Sequence, residues 1–148
     1  MINGVLVKPL KQIIGDRGRI LKLMRSDDEN FEKFGEVYFS TVPYGAIKDW
    51  HTHKKTVLNY AVPYGEVKLV LYDGRKSSPT FGQIEEIYLG EHNYSLVRIP
   101  PGVISAFKGL FEPQSFLINC STEPHSEEDI IRFPPGSSEI PYDWSKGN

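Results

Sequence analysis

Turn residues recur along this chain at short intervals, and no other feature constrains its fold as much. Pro43-Tyr44-Gly45, Pro63-Tyr64-Gly65, Asp73-Gly74, Pro79, Gly82, Pro100-Pro101-Gly102 and Pro113 all fall between short runs rich in β-branched and aromatic residues. Proline and glycine at this density interrupt any long 3.6-residue periodicity and leave room for short strands. The candidate strands are 4–8, 18–24, 36–42, 46–51, 56–62, 66–72, 84–89, 94–99, 103–109, 115–120 and 129–133. One short helix is expected near residues 28–34, with Asp28 and Glu29 at its start, Phe31 and Phe34 three apart, and Gly35 as a stop. So many strands protect their edges only by closing on themselves or by packing as two sheets. A small jelly-roll barrel does this and leaves one open mouth, where inward-facing side chains form a natural small-molecule site. The chain has 148 residues, enough for one domain spanning 1–148 and too few for two ordinary ones.

Composition removes several classes of function. A formal net charge of -2 gives no global basic field, so no nucleic-acid partner is expected. The longest apolar run, Val67 to Tyr72, is broken by Lys68 and falls far short of the ~20 residues that a membrane span needs. Met1 to Val5 lacks the charged start and apolar core of a signal peptide. Cys120 is the one cysteine, so no internal disulfide forms; this fits a reducing, cytoplasmic setting. Cys120 ends the apolar run from Ser115 and reads as a small core residue. After Pro134 the chain turns polar and loop-like, though Ile140 and Trp144 can dock back on the body.

The chemistry gathers around Lys48 to Lys55. Residues two apart in a strand share a face, so His51 and His53 point together, and Lys48 points away unless the strand bends. Two inward imidazoles can move protons, bind a metal, or be ordinary hydrogen-bonded barrel residues. Gly45, His51 and His53 match the first half of the metal motif of the cupins, the double-stranded β-helix jelly rolls. That motif then needs a glutamate where Val57 and Leu58 stand, and a third histidine where Pro100-Pro101-Gly102 leads to Ser105. Two histidines alone make a poor divalent-ion site, so neither a metal nor another cofactor is expected.

The run from Glu36 to His51 resembles, without a gap, the stretch before the catalytic histidine of the dTDP-4-dehydrorhamnose 3,5-epimerases. Ser40, Gly45 and His51 fall on the family's serine, glycine and base, and Lys48 on its phosphate-binding arginine. Asp73-Gly74-Arg75-Lys76-Ser77-Ser78-Pro79-Thr80-Phe81-Gly82 is similar to the family's Asp-x-Arg-x-x-Ser-Pro-Thr-Phe-Gly and is the most specific match. Ile99 to Gly102, the opening Gly4-Val5 and Arg17-Gly18, and the late Ile140 to Trp144 are further matches. The resemblance implies a cupin isomerase of carbohydrate biosynthesis, of lipopolysaccharide for instance, acting on a nucleotide-sugar substrate as a homodimer, with Arg17 reaching a phosphate in the partner subunit. It implies His51 as base, with His53 as second proton carrier. Tyr38 and Tyr60 are the candidate proton donors. The substrate-binding candidates are Arg17, Glu36, Lys48, Lys55 and Ser105, and Trp50 and Tyr44 are aromatics that can stack on the base.

The departures from that family are specific. Ile118 stands at the position of its tyrosine acid, Ser105 at a further histidine, and the region of Thr56 at its enolate lysine. Too few residues follow Trp144 to reach its base-orienting aspartate. A second family, the nucleotide-sugar 3,4-ketoisomerases, carries a His-x-His-Lys strand like His51 to Lys54 and a late acidic segment like Ser121 to Asp129. Three readings follow: an epimerase, a ketoisomerase, or a cupin that binds sugar nucleotides without catalysis.

Overall fold

The computed structural model describes residues 1–146 as strands, turns and loops. The strands are β1 (Leu6–Pro9), β2 (Gln12–Gly15), β3 (Gly18–Leu21), β4 (Glu36–Pro43), β5 (Ile47–His53), β6 (Leu58–Tyr64), β7 (Glu66–Asp73), β8 (Ile84–Gly90), β9 (Ser95–Ile99), β10 (Val103–Gly109), β11 (Gln114–Ser121) and β12 (Ile130–Arg132). Each expected strand is present with its ends moved by at most a few residues. β2 is the addition. It pairs with β3 as a ribbon around Asp16 and Arg17, and Gly15 and Gly18 flanking that pair were the available signal.

No helix forms among the described residues, so the one expected near 28–34 is replaced by turns. Its side chains are engaged elsewhere. Asp28 accepts the backbone N–H of Arg25 at 2.7 Å and pairs with Lys8 at 3.8 Å, while Glu32 binds Arg98 at 2.6 Å. An aspartate that bonds its own neighbourhood competes with helix formation. Phe34 is exposed, so no apolar stripe anchors a helix there.

The fold is a jelly roll of two five-stranded antiparallel sheets, in the orders β1-β9-β6-β11-β4 and β12-β5-β10-β7-β8. Alternation sends Leu58, Tyr60 and Val62 of the first sheet and Leu69, Leu71 and Phe107 of the second into one core between them. Two glycines permit turns on the way. Gly45, at φ +81, makes the turn from β4 into β5. Gly65, at φ +85, joins β6 to β7 where a Cβ would lie 2.9 Å from the Cα of Ser115.

The outer face of the second sheet is also buried. Trp50, Val70, Ile104 and Ala106 pack there against Phe133, Ile140, Tyr142 and Trp144, which form a C-terminal strap. Lys68 is enclosed beneath the strap. Its Nζ lies 3.0 Å from Glu86 and 5.2 and 5.8 Å from the ring centroids of Tyr142 and Trp144, and the Tyr142 hydroxyl donates to Glu86. Among the described residues, the outer face of the first sheet has no such cover at β4, where Val37 and Phe39 are exposed.

The segment most specific in sequence is a structural knot. Asp73 is fully buried and accepts Arg75 Nε at 2.8 Å and the hydroxyls of Ser78 and Thr80 at 2.6 Å each. Thr80 then accepts the backbone N–H of Asn3, and Arg75 donates to the Asn3 carbonyl at 2.5 Å, so the knot ties down the N-terminus. Burial would raise the Asp73 carboxyl, but the donors Arg75, Ser78 and Thr80 outweigh it and hold the group far below the ordinary range.

Candidate active site

A cavity of about 450 Å³ opens between the two sheets. β5 lines one wall with Lys48, His51 and His53, joined by Arg132 of β12 and by Phe133. The facing wall is Tyr38 and Ser40 of β4, Tyr60 of β6 and Leu117 of β11.

Strict alternation would turn Lys48 away from His51. β5 instead carries a bulge: His51 pairs with Ser105 and Lys48 with Phe107, so three steps on β5 match two on β10. The extra residue moves Lys48 to the cavity side. His51 and His53 need no such device, and their ring centroids lie 5.4 Å apart.

The two imidazoles are held differently. His51 Nδ1 lies 3.3 Å from the carbonyl oxygen of Asp49, which leaves Nε2 free. Burial, above all, lowers the His51 pKa. The Asp49 carbonyl opposes that, and the charges of His53 and Arg132 reinforce it. The ring is therefore held in its neutral form, with Nε2 able to accept a proton. His53 Nδ1 lies 2.9 Å from Asp129 Oδ2. Burial raises the Asp129 carboxyl, but donation from Thr56, His53 and the Lys55 N–H outweighs it and brings the group down to about 2.

The two tyrosines of the facing wall also differ. Asn119 Oδ1 accepts the Asn59 N–H at 3.0 Å, which fixes the amide so that its Nδ2 donates to Tyr38 Oη at 3.1 Å. The Tyr38 O–H remains free to donate into the cavity. Tyr60 is buried, and that burial, with the nearby Tyr38, pushes its phenol far up, so it is a poor proton source. Ile118 alternates to the outer face of β11, while Leu117 and Asn119 face inward.

The other candidates lie at varied distances from this centre. Ser105 is fully buried beside His51 in the register of β10. Glu36 accepts the backbone N–H of His125 at 2.8 Å and lines a small hollow beside the cavity. Lys55 is exposed near Glu123 at 3.6 Å, and Arg17 is exposed at the tip of the β2–β3 ribbon; neither lines the cavity. Trp50 packs under the strap and also borders the cavity, and Tyr44 is exposed. Cys120 is buried, and burial raises its thiol. Among the described residues no group of three His, Cys, Asp or Glu side chains could hold a metal ion. Sequence reasoning did not assign Asp129, Asn119 or Arg132 to the site.

Known proteins match along almost the whole chain. The family model for dTDP-4-dehydrorhamnose 3,5-epimerase matches residues 1–146. The spore coat polysaccharide biosynthesis protein SpsL of Bacillus subtilis is 35% identical over 147 residues, 98% of this chain and 97% of that one. The probable low-salt glycan biosynthesis epimerase Agl13 of Haloferax volcanii is 33% identical over 144 residues, 96% of this chain and 89% of its own. The crystal structure of a dTDP sugar isomerase from Desulfovibrio desulfuricans superposes with a TM-score of 0.96 at 36% identity, covering 99% of this chain and 94% of the other.

Proposed function

Because the chain belongs to the dTDP-4-dehydrorhamnose 3,5-epimerase family, whose members are sugar epimerases and isomerases, we propose that it epimerises a dTDP-linked 4-keto-6-deoxy sugar through His51. The observation that carries this reading is the placement of a neutral imidazole and a phenol with a free O–H on facing walls of one cavity. A ketone acidifies the C–H beside it. His51 Nε2 removes that proton, and Tyr38 supplies one to the opposite face of the resulting enolate, which inverts the carbon. A ketoisomerase can return its proton from the same wall, so the opposed pair favours epimerisation.

Lys48 is the cation of this chain best placed for the diphosphate, where charge-assisted hydrogen bonds suit an anion. Arg17 reaches such a phosphate only from a second copy, and the exposed Ile13, Ile14 and Ile20 of its ribbon favour a homodimer. The product would be an activated deoxysugar for glycan assembly, lipopolysaccharide being one such glycan. The chain works as one cupin-like domain.

The test is solvent deuterium incorporation into a dTDP-4-keto-6-deoxy sugar, with the exchanging carbon located by NMR. Wild-type protein exchanges and inverts the carbon. His51→Asn loses at least about 100-fold in exchange and keeps nucleotide affinity within about threefold, because affinity rests on phosphate and base contacts. Binding without exchange by the wild type would instead support the sugar-nucleotide-binding reading.

A further inference from the structure

The carboxylate-backed imidazole of this cavity is not the one that the family resemblance makes the base. Asp129, in the loop before β12, is gripped from three sides. Its Oδ2 accepts from His53 Nδ1 at 2.9 Å and from the Thr56 hydroxyl at 2.6 Å, and its Oδ1 from the Lys55 N–H at 2.7 Å. The His53 and Asp129 side chains are 12% and 13% exposed. A carboxylate so held cannot swing away, so the His53 ring is fixed with Nδ1–H on Asp129 and Nε2 free. Among the described residues, His51, 5.4 Å away between centroids, has only the Asp49 carbonyl. Thr56, near the place of the family's lysine, spends its hydroxyl on locking Asp129.

We propose, resting on the epimerase reading above, that Asp129 is a positioning residue that makes His53 the group meeting the sugar's carbonyl oxygen while His51 works on the adjacent carbon. The two targets are neighbours on one keto sugar, as the two rings are neighbours on one wall. His51 Nε2 takes the proton from carbon. The C–H electron pair becomes the C=C bond, and the carbonyl π pair moves to oxygen. The protonated His53 ring gives its Nε2 proton to that oxygen, leaving an enol and a neutral ring. Tyr38 then protonates the carbon from the other face, the oxygen's proton returns to His53, and the C=O bond re-forms. The proton gained by His51 reaches Tyr38 through solvent between turnovers, so nothing is oxidised or reduced. Asp129 supplies the negative charge that a protonated ring needs in a wall largely shielded from water.

The experiment is a double-mutant cycle on deuterium exchange with a dTDP-4-keto-6-deoxy sugar. Asp129→Asn is expected to lower kcat at least about 100-fold while KM stays within about threefold. His53→Gln should lose as much, and the double variant should be no slower than His53→Gln alone, because the aspartate acts through the histidine. Thr56→Val, which removes the hydroxyl that locks Asp129, should lose part of the rate. The proton resonance of the His53 Nδ1–H should vanish in Asp129→Asn while the His51 ring signals stay in place. A kcat for Asp129→Asn within about threefold of wild type, or losses that multiply in the double variant, would overturn the proposal even if His51→Asn is dead. A wild type that exchanges nothing would instead overturn the epimerase reading, and this inference with it.

Discussion

Two histidines two residues apart on one strand meet opposite environments, one ruled by burial and the other by a carboxylate. That the pair would share a face was legible from a period of two. What each would touch was not, because the deciding partners are remote in sequence. Asp129 lies 76 residues from His53, and Asn119 lies 81 from Tyr38. The sequence reading found Ile118 at the place of the family's acid and turned to Tyr38 and Tyr60 as donors; β11 turns the Ile118 side chain outward and presents its neighbours instead. Tyr38 then becomes separable from His51 in an experiment. Tyr38→Phe removes the phenol but not the base, so the carbon should still exchange deuterium while inversion falls at least about 100-fold. NMR of the recovered sugar reports both outcomes from one sample. Loss of exchange and inversion in equal measure would place the phenol in the first step rather than the second.

At the level of strands and turns, punctuation by proline and glycine was enough to locate nearly every element. The exceptions have local causes. β2 is mostly exposed and lacks the alternating burial that marks a strand, and the 28–34 segment gives its side chains to Arg25, Lys8 and Arg98 rather than to a helix. The bulge in β5 could be foreseen only as a condition, since an extra residue shows itself by pairing with β10 and not by composition. The Asp73 motif was the most specific resemblance and is also the firmest joint between β7, the following loop and the N-terminus. Asp73→Asn should cost about 3 kcal/mol, because it leaves the half-buried Arg75, Ser78 and Thr80 donors facing an uncharged partner at a buried position. The Asp73 carboxyl is depressed in the folded state, so its contribution is fully present above its unfolded value near pH 4 and is lost as pH falls through the folded one. Urea titrations of both proteins should therefore show the gap closing as pH drops below about 4. A gap independent of pH would assign the cost to packing instead.

As a whole, the molecule was read correctly as an all-β jelly roll, because strands of this number and shortness have few other ways to shelter their edges. Its asymmetry was harder to read. Only Ile140 and Trp144 hinted that the polar tail would return, and the enclosure of Lys68 by tail aromatics depends on contacts between distant segments. The strap makes the wall that carries the histidines two layers deep, while β4, at the edge of the other sheet, exposes Val37 and Phe39. Amide exchange in heavy water should map this difference. The amides of β7 and β10, covered on both faces, should be the last to take up label, and those of β4 among the first. In that result the molecule would breathe on one side only, the wall of Tyr38 loosening while the wall that carries the imidazoles holds its place.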